Sequence, residues 1–390
     1  MDVAIAQTTT RFQKITRTGE PFRFHSGATI PEATLAYETY GELAPDRSNA
    51  ILLFHALSGS QHAAGHNPKV EGVGDLWTEE CHEGWWSRFI GPGLALDTSR
   101  FFVICANYIG GCYGSTGPAS IDPTTDQPYG SRFPNVRIID VARSQAALLN
   151  ALGIHQLHAC IGASLGGLLA TTFACAFPDR VRIVIPVASG LQTSALQRIT
   201  SLEQICAIEN DPNFGAGDYY DGPRPDHGLA LARMISHKTF ISLRTMERRA
   251  RREIAPPPPF LEWYQVSDPL ESYMLYQGTK FVTRFDANTY LRILEAWQRY
   301  NLPEEVGAAD HNDAFRLCAA AGQRFLIFSI DSDVCFYPEQ QATLTATLKA
   351  AGVPTMHITA HSDKGHDSFL LEPELYTPHL AYTLSHDLTW

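Results

Sequence analysis

Short continuous apolar runs alternate with helix-period stretches along two parts of the chain. Ala50–Phe54 (AILLF), Arg100–Ala106 (RFFVICA), Leu157–Ile161 (LHACI) and Val181–Val187 (VRIVIPV) are too short for helices. Such runs predict strands buried on both faces. The first is followed by HALSGS and the second by NYIGGCYGSTGP, whose Gly, Ser and Pro content predicts loops. Between them lie two predicted helices. Ile138–Leu152 places Ile139, Ala142, Ala146, Leu149 and Leu152 at helical spacing, with Gly153 to close it. Gly166–Phe177 is small and apolar and stops before Pro178. Alternating strand and helix predict a mostly parallel sheet with helices on both faces. The earlier stretch, Phe12–Tyr40, is broken by Gly and Pro and predicts antiparallel strands at the sheet edge.

The pattern changes near Ser189. Residues 190–310 are mostly of helical type, as in GLALARMISHKTF and ANTYLRILEAWQRYN, and are interrupted by the rigid tract Pro256–Pro259. Strand and helix return at Arg324–Ile330, Pro338–Ala351 and Pro354–Thr359. The expected organisation is a split core, residues 1–189 and 311–390, with a helical lid over 190–310. A chain of 390 residues exceeds the size at which one core stops growing, which agrees with a second, smaller unit.

Charge narrows the function. The formal net charge is −11, and no dense basic tract offers a nucleic-acid footprint. The cluster Arg244–Arg252 is interleaved with Glu247 and bounded by Glu253, the pattern of a solvated helix face. Met1–Lys14 lacks the basic start and apolar run of a signal peptide. No stretch reaches the roughly 18 apolar residues of a membrane span. The eight cysteines are scattered without CxxC spacing, several inside apolar runs. Free thiols in a reducing compartment fit better than disulfides or a zinc site. A soluble cytoplasmic protein without a metal centre is expected.

Gly162-Ala163-Ser164-Leu165-Gly166 is a G-x-S-x-G motif with a strand before it and a small-residue helix after it. That context is the nucleophile elbow of the α/β-hydrolase fold, and it makes Ser164 the expected nucleophile. A serine hydroxyl needs a base, itself oriented by a carboxylate. In this fold the chain order is Ser, then Asp or Glu, then His. Asp333 follows the strand RFLIFSI and is the expected acid, with Asp331 as competitor. His366, beside Gly365 and after the last strand, is the expected base, with His361 the nearer alternative. Among fifteen histidines only this ordering favours His366. The tetrahedral intermediate needs backbone N–H donors. Leu165, after the nucleophile, and Leu57, in the loop after AILLF, occupy the expected positions.

At this point the chain resembles the homoserine O-acetyltransferase family of the α/β-hydrolase superfamily. The resemblance is carried, in order, by HALSGSQHAAG (55–65), the long block beginning GWW and ending GGCYGSTGP (84–118), PYGSRFP (128–134), GASLGG (162–167), GLALARM (228–234), KFVTRFDANTYL (280–291), SDVCFYPEQ (332–340) and GHDSFLLE (365–372). It implies ping-pong catalysis: Ser164 takes an acetyl group from acetyl-CoA and passes it to the hydroxyl of homoserine. It implies the triad Ser164, Asp333 and His366. It also implies Arg233 for the amino-acid carboxylate and Asp367 for its ammonium. No tightly bound cofactor is implied, only acetyl-CoA as co-substrate. The helical insertion resembles the family's lid, which implies a homodimer formed through it.

Two positions depart from the family. Where it often carries a tyrosine, this chain has Phe240. Where an arginine accompanies succinyl transfer, this chain has Cys335, which offers no cation to a second carboxylate. Two other activities use the same triad: O-acylation of serine, one methylene shorter, and hydrolysis of an ester with water as acceptor.

Overall fold

The computed structural model describes residues 7–250, 254, 261 and 263–386. The proline tract and Arg251, Arg252 and Glu253 of the basic cluster lie outside the described residues, as does the start of the N-terminus. Eight strands form one sheet. They are β1 (Arg11–Lys14), β2 (Thr34–Tyr40), β3 (Ala50–Phe54), β4 (Phe102–Ala106), β5 (Leu157–Ala163), β6 (Val181–Val187), β7 (Arg324–Ile330) and β8 (Thr355–Ala360). Their order across the sheet is β1-β2-β4-β3-β5-β6-β7-β8. The pairs β1–β2 and β2–β4 are antiparallel, and every later pair is parallel.

The apolar runs explain this placement. Every residue of β3 is buried. Alternate side chains go to opposite faces of a strand, so each strand feeds two cores. Leu52, Phe54, Cys160, Val184 and Ile327 join one, and Ile51, Leu53, Ile161, Ile185 and Phe328 join the other. Helices α1 (Ile138–Ala151) and α2 (Leu165–Ala176) cover the first face with α9 (His311–Ala320) and α10 (Pro338–Ala350). The C-terminal helix α11 (Pro373–Ser385) covers the second through Tyr376, Leu380 and Leu384. The α/β-hydrolase architecture expected from the sequence is the one observed.

Between β6 and β7 come α3 (Ala195–Glu209), α4 (Asp226–Phe240), α5 (Leu243–Arg249), α6 (Pro269–Val282), α7 (Ala287–Gln298) and α8 (Leu302–Val306). Helix α6 was not singled out by periodicity, yet its start is legible. Asp268 Oδ1 accepts from the Leu270 N–H at 2.7 Å, Glu271 returns to the Asp268 N–H at 3.2 Å, and Pro269 opens the helix. This is a reciprocal N-terminal cap, with proline where its missing N–H costs nothing. Among the described residues no helix is long and apolar enough to cross a membrane. All eight cysteines are free, five of them buried.

Candidate active site

The parallel strands deliver the chemistry at their carboxyl ends. Ser164 follows β5, the loop His55–Ser60 follows β3, Asp333 follows β7 and His366 follows β8. Ser164 sits at the junction of β5 and α2 with φ 60° and ψ −125°, a conformation that side chains other than glycine's rarely adopt. The turn survives because its neighbours lack side chains. A Cβ on Gly162 would stand 2.0 Å from the Gly166 carbonyl oxygen, and one on Gly166 would stand 2.4 Å from that of Phe54. The glycines of the motif are thus explained by close backbone approach.

Asp333 and His366 are brought together across 33 residues, with Asp333 Oδ2 2.6 Å from His366 Nδ1. The other carboxylate oxygen accepts the N–H groups of Cys335 at 2.7 Å and Phe336 at 2.9 Å. Both side chains are buried. The competing candidates are elsewhere. Asp331 pairs with His361 at 2.9 Å on the surface, and the histidine side chain is 81% exposed. His366 Nε2 is buried with no hydrogen-bond partner, and the Ser164 hydroxyl makes no bond to it. In unliganded enzymes this contact is often long and tightens with substrate. The His366 ring is stacked on Phe336 (5.6 Å, 20°) and packs edge-on to Phe369 (5.3 Å, 86°), which fixes its plane.

Burial alone would lower the pKa of His366. The charge and hydrogen bond of Asp333, with the nearby Asp367 carboxyl, outweigh it and raise the pKa above that of an ordinary histidine. A base must be neutral to accept a proton, so a raised pKa makes activity fall earlier as pH decreases. The acid limb of kcat/KM is therefore expected to have its midpoint above about 6.5. Initial rates between about pH 5 and 9 measure it, and a midpoint below the ordinary value would contradict this assignment of the base.

Ser164, His366 and Leu57 line a cavity of about 310 Å³. Leu165 lies directly behind the serine at the start of α2. Neither the Leu57 nor the Leu165 N–H donates to an acceptor among the described residues. Two free donors beside a nucleophile are suited to a developing oxyanion. The helical segment closes the cavity with Arg233 and Phe240 from α4, Trp297 from α7, and Arg284 from the turn between α6 and α7. Helix α5 is anchored on the histidine loop, where Thr245 Oγ1 donates to the Asp363 carbonyl at 3.0 Å and Arg248 pairs with Asp363 at 2.8 Å.

Arg233 is the notable group. Its guanidinium carbon stands 5.2 Å from the Phe240 ring centroid and 4.9 Å from that of Phe281. Its side chain has no hydrogen bond or ion pair among the described residues. Burial depresses its pKa, as does the proximity of Arg284. Asp367 is half-buried beside it and lines the same cavity. Burial holds the Asp367 carboxyl above the usual range despite His366 and Arg233 nearby. The departure at Phe240 thus supplies an aromatic face to Arg233, and its ring also lies 6.2 Å from His366. Cys335 is buried behind Phe240 and Trp297 rather than on the wall of the main cavity.

The sequence reading assigned no role to Arg284. It donates to the Ser58 carbonyl at 3.1 Å and the Tyr113 hydroxyl at 3.2 Å, and pairs with Glu80 at 3.5 Å. It lies within KFVTRFDANTYL, but nothing in the spacing tells a half-buried bracing arginine from a surface one. Glu38 and His62 were also missed. They form a buried pair at 2.8 Å beneath the loop after β3.

Comparison with known proteins extends the picture. The family model for the alpha/beta hydrolase fold matches residues 49–373. The homoserine O-succinyltransferase of Halorhodospira halophila is 41% identical over 359 residues, covering 92% of this chain and 90% of the relative. The homoserine O-acetyltransferase of Solidesulfovibrio magneticus is 38% identical over 371 residues, covering 94% and 90%. A crystal structure of homoserine O-acetyltransferase from Bacillus anthracis superposes with a TM-score of 0.85 at 26% identity, covering 98% of this chain and 99% of that one. With a shared fold and two-fifths of its residues in common with such relatives over nearly its full length, the chain belongs to the homoserine O-acetyltransferase family of the α/β-hydrolase superfamily.

Proposed function

We propose that this chain transfers an acetyl group from acetyl-CoA to the hydroxyl of L-homoserine through an acyl-enzyme on Ser164. The observation that carries this reading is the unpaired guanidinium of Arg233, held between two aromatic rings in the same cavity as the nucleophile. A half-buried cation whose donors have no partner among the described residues calls for an anion of matching shape, and a carboxylate accepts its forked N–H groups two at a time. Asp367 provides the opposite charge for an ammonium. The pair fits an amino acid and has no purpose for a simple ester.

In this reading Ser164 Oγ attacks the thioester carbonyl while His366 Nε2 takes its proton. The Leu57 and Leu165 N–H groups hold the oxyanion. The thiolate of CoA leaves with the proton from His366. Homoserine then binds between Arg233 and Asp367, its hydroxyl gives a proton to His366, and its oxygen attacks the acetyl carbonyl. As the second tetrahedral intermediate collapses, His366 Nε2 returns the proton to Ser164 Oγ, freeing the serine hydroxyl and O-acetylhomoserine. Asp333 keeps the Nδ1 proton in place throughout, so Nε2 stays available.

Acetyl is preferred to succinyl because, among the described residues, Arg233 is the one cation lining the cavity without a partner. Position 335 is a buried thiol, and Arg284 is committed to Glu80, Ser58 and Tyr113. Residues 190–310 serve as the lid over the acyl-enzyme and keep water from it. Exposed Ile199, Leu202, Leu231 and Tyr276 on that segment support a second copy of the chain as its partner. Acyl-CoA chemistry and eight free thiols support the cytoplasm as its compartment.

Arg233→Ala should raise the KM for homoserine by about 100-fold, the scale for stripping a desolvated carboxylate of its charged donor. The burst of CoA released by the first half-reaction should be unchanged. Steady-state kinetics with homoserine, serine and no acceptor decide the matter. Unaltered homoserine kinetics in the variant would remove the amino acid from this site. Rapid CoA release without acceptor would mark a hydrolase.

A further inference from the structure

The loop that carries the Leu57 donor is held by a residue to which the reaction scheme gives no task. His55 directly follows β3 and is 2% exposed. Its Nδ1 lies 2.7 Å from the carbonyl oxygen of Ala56. A carbonyl can only accept, so Nδ1 carries the proton. Nε2 is then bare in the neutral ring, and it is buried with no hydrogen-bond partner. Burial pushes the ring's pKa down to about 4, which keeps the ring neutral near pH 7, and the bond to Ala56 selects the tautomer.

The bonded carbonyl belongs to the peptide that joins Ala56 to Leu57. In a trans peptide the C=O and N–H point in opposite directions, and no cis peptide is present among the described residues. Holding the Ala56 oxygen on one side therefore aims the Leu57 N–H on the other. The Gly59 N–H also donates to this oxygen at 3.0 Å, which closes a tight turn. The ring adds what a local turn cannot, a connection to the rigid core. It stacks on Tyr108 with centroids 3.7 Å apart and planes 16° from parallel. The Tyr108 hydroxyl donates to the His55 carbonyl. Gly59 packs over the ring from the other direction, and a Cβ there would stand 2.9 Å from His55 Cβ.

We propose that His55 is a positioning residue of the oxyanion hole, its Nδ1–H fixing the Ala56–Leu57 peptide so that the Leu57 N–H faces the acyl oxygen on Ser164. This rests on the acyl-transfer reading given above. A peptide free to rotate would present its carbonyl to the developing negative charge in place of its N–H. The loss would fall on the transition state and leave ground-state binding of the acceptor unaffected.

Two substitutions separate this role from simple packing. His55→Phe keeps the ring and its stacking on Tyr108 but removes the donor. His55→Asn keeps an N–H at the position of Nδ1 but removes the ring. The readout is acylation of Ser164 by acetyl-CoA and by p-nitrophenyl acetate, alongside the KM for homoserine and the thermal midpoint. Acylation in His55→Phe should slow by about 10- to 100-fold, approaching the cost of losing an oxyanion donor. His55→Asn should remain within about fivefold of the unsubstituted chain on that same scale, and the KM for homoserine should not move in either.

Packing alone predicts the reverse order, with the phenylalanine variant the faster, and that order would overturn the proposal. If neither variant folds, nitrogen NMR of the histidine rings in the unsubstituted chain decides. The Nδ1–H tautomer of His55 is required, and an Nε2–H tautomer would overturn the proposal. An unsubstituted chain that is acylated by neither donor sinks the acyl-transfer reading and the role of His55 with it. Equal acylation of the unsubstituted chain and His55→Phe removes only the role of His55.

Discussion

Ser164→Ala is expected to lower kcat for acetyl transfer by at least about 10⁴-fold, the scale of losing a triad nucleophile. The size of the effect follows from the lack of a substitute. Ser58, Ser60 and Cys81 also line the cavity, but each would need a base. The other histidine there, His62, has Nδ1 on Glu38 at 2.8 Å and Nε2 on the His82 carbonyl at 2.9 Å. Of these two cavity-lining histidines, only His366 has a ring nitrogen without a partner among the described residues. The variant should also fold normally. The Ser164 hydroxyl makes no hydrogen bond among the described residues, so its loss leaves no group there unsatisfied. Alanine must adopt the same positive φ, at a similar cost to serine. A discontinuous assay of CoA release, with mass spectrometry for an acetyl adduct on the protein, gives the answer. Turnover within about tenfold of the parent chain would move the nucleophile elsewhere.

Asp333→Asn should lower kcat by about 10⁴-fold with the KM for homoserine nearly unchanged. The structure explains why an isosteric change is so damaging. One oxygen of Asp333 is fixed by the N–H groups of Cys335 and Phe336. In the asparagine variant the amide oxygen must take that place, because the amide nitrogen cannot accept. The NH₂ group then faces His366 Nδ1 and donates to it. Nδ1 loses its proton to Nε2, and the ring can no longer take a proton from Ser164. The acid limb of the pH profile should shift down as well, since the carboxylate no longer raises the histidine pKa. Asp331→Asn is the control. That carboxylate pairs with an exposed histidine, and exposed pairs contribute little. If the two variants lost activity equally, the carboxylate of the triad would be misassigned.

The fold class is legible in the order of residues alone. Five-residue to seven-residue apolar runs between helix-period stretches leave few alternatives to a covered parallel sheet. The motif at Gly162–Gly166 then singled out one serine, because close backbone approach at an elbow demands glycine on both sides. Chain order led to Asp333 and His366, with Asp331 and His361 still competing. That competition could not be resolved locally. Residues two or five apart in a loop look alike in sequence, and only the packing of β7 beside β8 decides which carboxylate meets which ring. The structure pairs Asp333 with His366 in the interior and Asp331 with His361 on the surface.

The same limit applies to the roof of the cavity. Arg233, on a helix with polar and apolar neighbours, has no local mark of being a binding residue. It becomes a candidate through its place on the cavity wall, where Phe240 on its own helix and Phe281 on another flank its guanidinium. Arg284 and His55 take their character from contacts with Ser58, Tyr113, Ala56 and Tyr108. Periodicity and motif spacing record what each segment needs in order to fold. Whether a charge is braced, idle or aimed at a reacting atom depends on groups that folding brings to it from distant parts of the chain, and no local pattern encodes them.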